Sequence, residues 1–156
     1  MLDFKYMAIE VVNETSYEFD ELEFVQLAVF TLKKMFVSPD SDLDIKFVNS
    51  EFIAKLHNDY LEIPGPTDVM SFPMDELKPG KKEKPAAAGV LGDIVICPEV
   101  AAKQADNAGH SYIDEMLLLE VHSILHLLGF DHMEKKEKKI MFDLQRTILM
   151  EFLAAK

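Results

Sequence analysis

The segment from residue 116 to residue 128 restricts the fold of this chain more than any other. Almost every position in it is apolar, and Ser111 followed by Asp114 is typical of the capped first turn of a helix. A helix that is apolar on nearly every side has to be buried on nearly every side. Gly129 can adopt the left-handed conformation that ends helices. We therefore expect a long, buried central helix that ends at Gly129.

Shorter patterns on both sides of this segment predict the other elements. Alternating or β-branched residues predict strands over residues 7–12, 43–47, 67–72 and 93–97. Apolar spacing of three and four predicts a helix from Asp20 toward Pro39, one from Asn49 or Ser50 to Tyr60, and helices over residues 99–108 and 134–152. Residues 78–89 are expected to form a surface loop. These elements favour the α+β class, with a small mixed sheet of about four strands packed against several helices.

Length and composition limit the class of protein. The 156 residues, 49% of them hydrophobic, suffice for one domain with a hydrophobic core and not for two, so residues 1–156 are assigned to a single domain. We expect neither a membrane span nor a secretory signal, because no uninterrupted apolar run is long enough. The single Cys97 suits a reducing, cytoplasmic compartment. A net charge of −12 disfavours nucleic acid at long range, although lysines cluster within residues 78–84 and 135–139.

Three of the five histidines, His122, His126 and His132, lie close together in the sequence. Residues four apart on a helix share one face at about 6 Å, so the first two imidazoles can bind the same metal ion. A turn at Gly129 can bring His132 back to that ion. Three neutral imidazoles leave the fourth tetrahedral position to water, whose pKa the metal lowers toward about 7. The spacing predicts a hydrolytic metal site, most simply with zinc.

Two other interpretations of these histidines have to be weighed. Buried histidines can be core residues with satisfied hydrogen bonds, although two polar rings in an apolar helix each need a partner. A metalloprotease has glutamate beside the first histidine as its general base, and here Ser123 holds that position. The protease hypothesis therefore requires Glu120 or Asp131 as the base.

Asp131 is the candidate catalytic residue because it adjoins His132. Its carboxylate could orient a ligand imidazole or accept a proton from an attacking water. Aspartate in a turn also commonly accepts a hydrogen bond from its own backbone. The sequence leaves both roles open.

With these residues the chain resembles the YbeY family of bacterial metal-dependent endoribonucleases. The resemblance lies in three histidines separated by three and five residues, with Gly129 and Asp131 in the family's positions, and in two blocks further upstream. These blocks are Pro66-Thr67-Asp68-Val69-Met70-Ser71-Phe72-Pro73 and Gly92-Asp93-Ile94 with Cys97-Pro98.

The resemblance implies one zinc ion bound by His122, His126 and His132, although other divalent transition metals also bind imidazoles. It implies cleavage of single-stranded RNA in the cytoplasm, in 16S rRNA 3′-end maturation and ribosome quality control. Ribosomal proteins or an assembly GTPase are the expected protein partners, and neither DNA nor a membrane is expected. The alternative is a ribosome-assembly or binding factor without catalytic activity, whose metal is structural.

The chain departs from the family pattern at two positions. Leu61 stands where many members have arginine, and His57 stands where members often have asparagine. Arginine can bind a phosphate or stabilise developing negative charge, and leucine can do neither. Lys55 or a lysine of residues 78–84 is a candidate replacement. The strand over residues 67–72 is expected to line a cleft against the metal-binding helix, and the role of Asp68 is left open.

Overall fold

The computed structural model describes residues 8–38, 40–131 and 133–156. Four strands and five helices occur within these ranges. They are β1 (Ile9–Asn13), α1 (Glu21–Lys34), β2 (Asp42–Phe47), α2 (Ser50–Leu61), β3 (Val69–Pro73), β4 (Val90–Ile96), α3 (Pro98–Ala108), α4 (Tyr112–Leu127) and α5 (Lys135–Ala154). The arrangement confirms the expected α+β class. In the described part of the chain, no helix is both long enough and apolar enough to cross a bilayer.

The four strands form one mixed sheet in the order β1-β2-β4-β3. β1, β2 and β4 are parallel, and β3 is antiparallel to β4 at the edge. Gly92 in β4 has a φ of +142°, and a Cβ there would lie 2.2 Å from the carbonyl oxygen of Phe72 in β3. The close approach of these two strands therefore requires glycine at this position.

The sheet separates two hydrophobic clusters. On one face, Leu43, Ile45 and Phe47 of β2 pack with residues of α1, α4 and α5 in the main core. On the other face, a smaller cluster joins Ile53 of α2 to Val95 of β4 and to other residues of the sheet. The alternation of apolar and polar residues in β2 predicted which of its side chains face the main core, because successive side chains of a strand point to opposite faces.

Helix α4 is the buried central helix that the sequence predicted. Nine of its 16 residues are buried. Its first turn is capped by Ser111, whose hydroxyl accepts a hydrogen bond of 3.1 Å from the backbone N–H of Asp114. The helix packs against α1, α3 and α5 and against strands β3 and β4. Residues on α4 are consequently held by contacts with most of the domain.

Two local expectations differ from the structure. Helix α1 ends at Lys34, well before Pro39. Pro39 lies outside the described residues, and so does residue 7, the first residue of the strand predicted over residues 7–12. Phe52 of α2 was expected to point inward, yet 46% of it is exposed. It lines a groove on the sheet face that α2 covers only in part. The N-cap of α2 is Asn49, one of the two residues that the sequence offered for this position.

Candidate active site

An open groove of about 630 Å³ lies between α2, β3, α4 and α5. His122 and His126 of α4 line one side of it, and residues 67–72 line another. The expectation that this strand segment faces the metal-binding helix across a cleft agrees with this geometry. The two imidazole planes are almost parallel, with an interplanar angle of 10° and ring centroids 6.3 Å apart. One helical turn separates them, as the spacing in the sequence required.

His122 is oriented by a residue of another helix. Its Nδ1 lies 2.8 Å from Oε1 of Gln145 on α5, and Gln145 is only 9% exposed. An amide oxygen only accepts hydrogen bonds, so Nδ1 of His122 is the donor. A neutral imidazole with its proton on Nδ1 carries its lone pair on Nε2, which is an atom that binds metals. Gln145 therefore favours the tautomer of His122 that carries its proton on Nδ1.

His126 is oriented by the turn that follows α4. Gly129 has a φ of +98°, its N–H donates to the carbonyl of His126 at 3.0 Å, and the N–H of Phe130 donates to the carbonyl of Leu125 at 3.1 Å. These two bonds form a Schellman motif. The turn places the carbonyl oxygen of Phe130 3.0 Å from Nδ1 of His126. Since a carbonyl only accepts, His126 also has its proton on Nδ1.

These contacts fit a metal-binding role for the histidines. Ligand histidines almost always donate their other ring N–H to a carbonyl, amide or carboxylate oxygen, and both described imidazoles do so. The third predicted ligand, His132, lies outside the described residues. Among residues 8–38, 40–131 and 133–156, no three His, Cys, Asp or Glu side chains come together as a metal site. The three-histidine site thus stays a prediction that two oriented imidazoles support.

Asp131 makes the turn contact that was one of its two expected roles. Its Oδ1 accepts a hydrogen bond of 3.2 Å from the backbone N–H of Met133. The catalytic role of Asp131 stays a prediction.

The buried carboxyl of Glu120 does not take part in the groove. Glu120 is fully buried, and in the described structure neither of its carboxylate oxygens has a hydrogen-bond partner. Burial raises the pKa of this carboxyl well above its usual range. Glu120 does not line the groove, so its carboxyl cannot take a proton from a water there. Glu120 is therefore not the base that the metalloprotease hypothesis requires.

Asp68 has a structural role at the start of β3. Its Oδ1 accepts hydrogen bonds from the N–H of Val69 at 2.8 Å and from the hydroxyl of Thr67 at 3.3 Å. Its backbone carbonyl accepts from the N–H of Cys97 at 2.8 Å. Asp68 also lines the groove. These bonds set the position at which β3 joins β4, and thus the floor of the groove.

The two positions that depart from the family pattern both line the groove. Leu61 is 57% exposed there, and Nδ1 of His57 lies 2.9 Å from the carbonyl oxygen of Gly65. Lys55 is not among the described residues that line it, and neither is any lysine of residues 78–84. The amine of Lys78 instead lies against Gly129, 2.7 Å from the place that a Cβ would take. None of the expected lysines lines this groove, and their role as a replacement for arginine stays a prediction.

Comparisons with known proteins agree with the motifs. The sequence model of the family Endoribonuclease YbeY matches residues 9–153. The chain belongs to the YbeY family. It is 53% identical over 150 residues to the endoribonuclease YbeY of Beutenbergia cavernae, a match that covers 96% of this chain and all of the relative. The YbeY protein of Clavibacter sepedonicus is 53% identical over 146 residues, covering 94% and 95% of the two chains.

A solved structure supports the fold independently. The solution structure of TM1509 from Thermotoga maritima superposes with a TM-score of 0.64 and covers 94% of this chain and 90% of its own. Its sequence is 24% identical, so the likeness concerns the fold alone. The YbeY motifs quoted from the sequence thus lie in a domain whose α+β architecture is also found in a solved protein.

Sequence reasoning missed two residues of this YbeY site, Gln145 and Phe142 on α5. Gln145 holds His122, and the Phe142 ring lies 6.0 Å from the His122 ring between centroids. A signal for Gln145 was present, because it falls between Met141 and Ile148 on the buried side of α5. A glutamine in a buried helical stripe needs a hydrogen-bond partner.

Proposed function

We propose that this chain is a metal-dependent endoribonuclease that cleaves single-stranded RNA. The observation that carries the proposal is the orientation of His122 and His126, each of which donates from Nδ1 to an oxygen acceptor at the side of an open groove. Membership of the YbeY family and relatives named endoribonuclease support RNA as the substrate and hydrolysis as the reaction.

The proposed metal is one zinc ion held by His122, His126 and His132. When bound, it supplies Lewis-acid stabilisation of charge on a phosphoryl oxygen and activates a water. Gln145 and the Phe130 carbonyl keep two imidazoles in the tautomer that binds a cation. We propose that Asp131, beside His132, accepts the proton of the attacking water.

We further propose 16S rRNA 3′-end maturation and ribosome quality control in the cytoplasm as the cellular role. Family membership and the motifs of residues 66–73 and 92–98 support this role. Ribosomal proteins or an assembly GTPase are the proposed protein partners. The strongly acidic net charge of −12 favours a specific local RNA contact over general attraction to nucleic acid.

Metal analysis combined with an RNA cleavage assay tests the proposal. The His126→Ala variant should lose the bound metal and the cleavage of single-stranded RNA together. The matched control is His110→Ala, which removes a surface imidazole 2.6 Å from Glu115 and should leave the metal content unchanged. Cleavage by metal-free His126→Ala protein at the wild-type rate would contradict the proposal.

The alternative of a non-catalytic ribosome-assembly factor has one specific observation in its favour. Leu61, at 57% exposure, presents an apolar surface in the groove where a cation would bind phosphate. A wild-type chain that retains its metal and binds rRNA, but cleaves no single-stranded RNA, would support this alternative.

A further inference from the structure

A second groove, of about 460 Å³, adjoins the candidate active site along α5. Leu118 and Gln145 line both grooves, so the two meet at the residue that orients His122. Phe142 and Arg146 line the second groove together with residues of α4 and the end of α5. A chain bound at the histidines can therefore continue along α5 without crossing the core.

One face of α5 carries a row of cationic and aromatic side chains, two of which line the second groove. Lys138, Phe142 and Arg146 are spaced by four residues, so they lie on one face at intervals of about 6 Å. The Lys138 amine lies 5.6 Å from the centroid of the Phe142 ring. Arg146 is exposed, and it is the only arginine in the sequence.

This row has the chemistry of a single-stranded nucleic-acid path. Such paths combine cations that bind the phosphate backbone with aromatic rings on which bases stack. Arginine offers two parallel N–H donors to a phosphate, which the leucine at position 61 cannot do. Asp114 also lines the second groove, and its charge opposes part of the attraction by Arg146. The row therefore supplies a local cationic contact on a chain with a net charge of −12.

We infer that the RNA strand leaves the candidate active site along α5, with a base stacked on Phe142 and with separate backbone phosphates bound by Arg146 and by Lys138 on either side of that ring. This inference rests on the proposed endoribonuclease function. It assigns the phosphate-binding role to α5, on the other side of the histidines from Leu61.

Cleavage kinetics on single-stranded RNAs of increasing length test the inference. Wild-type kcat/KM should rise with length until the strand fills the second groove. Arg146→Gln and Phe142→Leu should each raise KM for the long RNA by about tenfold, the order of magnitude that a stacked base or a phosphate contact contributes. Arg146→Gln, which changes a side chain outside the candidate active site, should cleave the shortest substrate like the wild type. Phe142→Tyr, which keeps the aromatic face, should restore cleavage of the long RNA.

Matched controls separate this path from general effects of charge or packing. Lys33→Gln removes one exposed charge at the end of α1, and Phe52→Leu removes a half-exposed ring on the opposite face of the sheet. Both should leave KM for the long RNA unchanged. Arg146→Gln should also reduce the slope of the logarithm of the RNA-binding constant against the logarithm of salt concentration by about one, which corresponds to one phosphate contact. Lys33→Gln should leave this slope unchanged.

The inference is overturned if Arg146→Gln and Phe142→Leu match their controls on the long RNA, or if Arg146→Gln lowers kcat equally on short and long RNAs. If the wild type cleaves no RNA at all, the proposed function fails instead. In that case, fluorescence anisotropy with labelled single-stranded RNA still tests the path. Weaker binding by the two α5 variants than by the controls supports it, and equal binding overturns it.

Discussion

The contact between Gln145 and His122 leads to a quantitative prediction about metal affinity. In Gln145→Leu the acceptor that lies 2.8 Å from Nδ1 of His122 is lost. Because Gln145 is only 9% exposed, water cannot easily take the place of its oxygen. Loss of such a partner behind a ligand histidine typically weakens metal binding by about 10- to 100-fold. At about 1.4 kcal/mol for each factor of ten, this corresponds to about 1.4 to 2.8 kcal/mol.

Competition with a chromophoric chelator measures the zinc affinity of each variant at constant pH. Gln145→Glu keeps an oxygen acceptor at the same position and should bind zinc at least as tightly as the wild type. Gln26→Leu makes the same substitution at an exposed position of α1 and should have no effect. The comparison of the two position-145 variants isolates the hydrogen-bond acceptor from the rest of the side chain.

Zinc affinity equal to the wild type in Gln145→Leu would refute the reasoning. It would mean that the ring of His122 needs no acceptor from α5 to bind the ion, or that His122 is not a ligand. A parallel loss of affinity in Gln26→Leu would show instead that the assay reports general stability.

Three further predictions concern stability and are measured by thermal or denaturant unfolding. Gly129→Ala should destabilise the metal-free chain by about 1–2 kcal/mol because of the positive φ at this position. Gly109→Ala also introduces a side chain at a positive φ and should destabilise the chain by a similar amount, but it should not weaken metal binding. A metal affinity lowered equally in both variants would contradict this. Glu120→Met should stabilise the fold by about 1–3 kcal/mol, because it removes buried oxygens without described hydrogen-bond partners. A loss of stability would show instead that the carboxyl makes a stabilising contact. Burial and the neighbouring carboxylate of Asp93 raise the pKa of Asp44 in the folded chain. The folded state therefore binds a proton at Asp44 more readily than the unfolded state, and the chain loses stability as pH rises through the raised pKa. Asp44→Asn should therefore be more stable than the wild type at pH 7 and lose this advantage below the ordinary aspartate pKa of 3.8; a gain independent of pH would refute the electrostatic origin.

The parts of the fold that could be predicted are those that local sequence determines. Both ends of α4 were predicted from local signals, the Ser111 cap at its start and Gly129 after the apolar run. The structure has the helix from Tyr112 to Leu127, within two residues of these signals. The alternation in β2 is similarly local, because each side chain's face follows from its neighbours. Spacing alone also placed His122 and His126 on one side of a groove.

The parts that could not be predicted depend on packing between distant segments. Gln145 lies 23 residues from His122, and only the contact between α4 and α5 brings them together. Phe52 follows the helical pattern of an inward residue, yet it is exposed because the sheet face beneath α2 is only partly covered. No local pattern of residues indicates how far one helix covers a sheet.

A crystal structure of the chain grown with excess zinc tests the central claim most directly. We expect a single ion in contact with the imidazoles of His122, His126 and His132, and a further position that a water or a phosphate oxygen occupies. Three imidazoles directed to separate places, or a fourth protein ligand that closes the coordination sphere, would contradict a hydrolytic metal site in this domain.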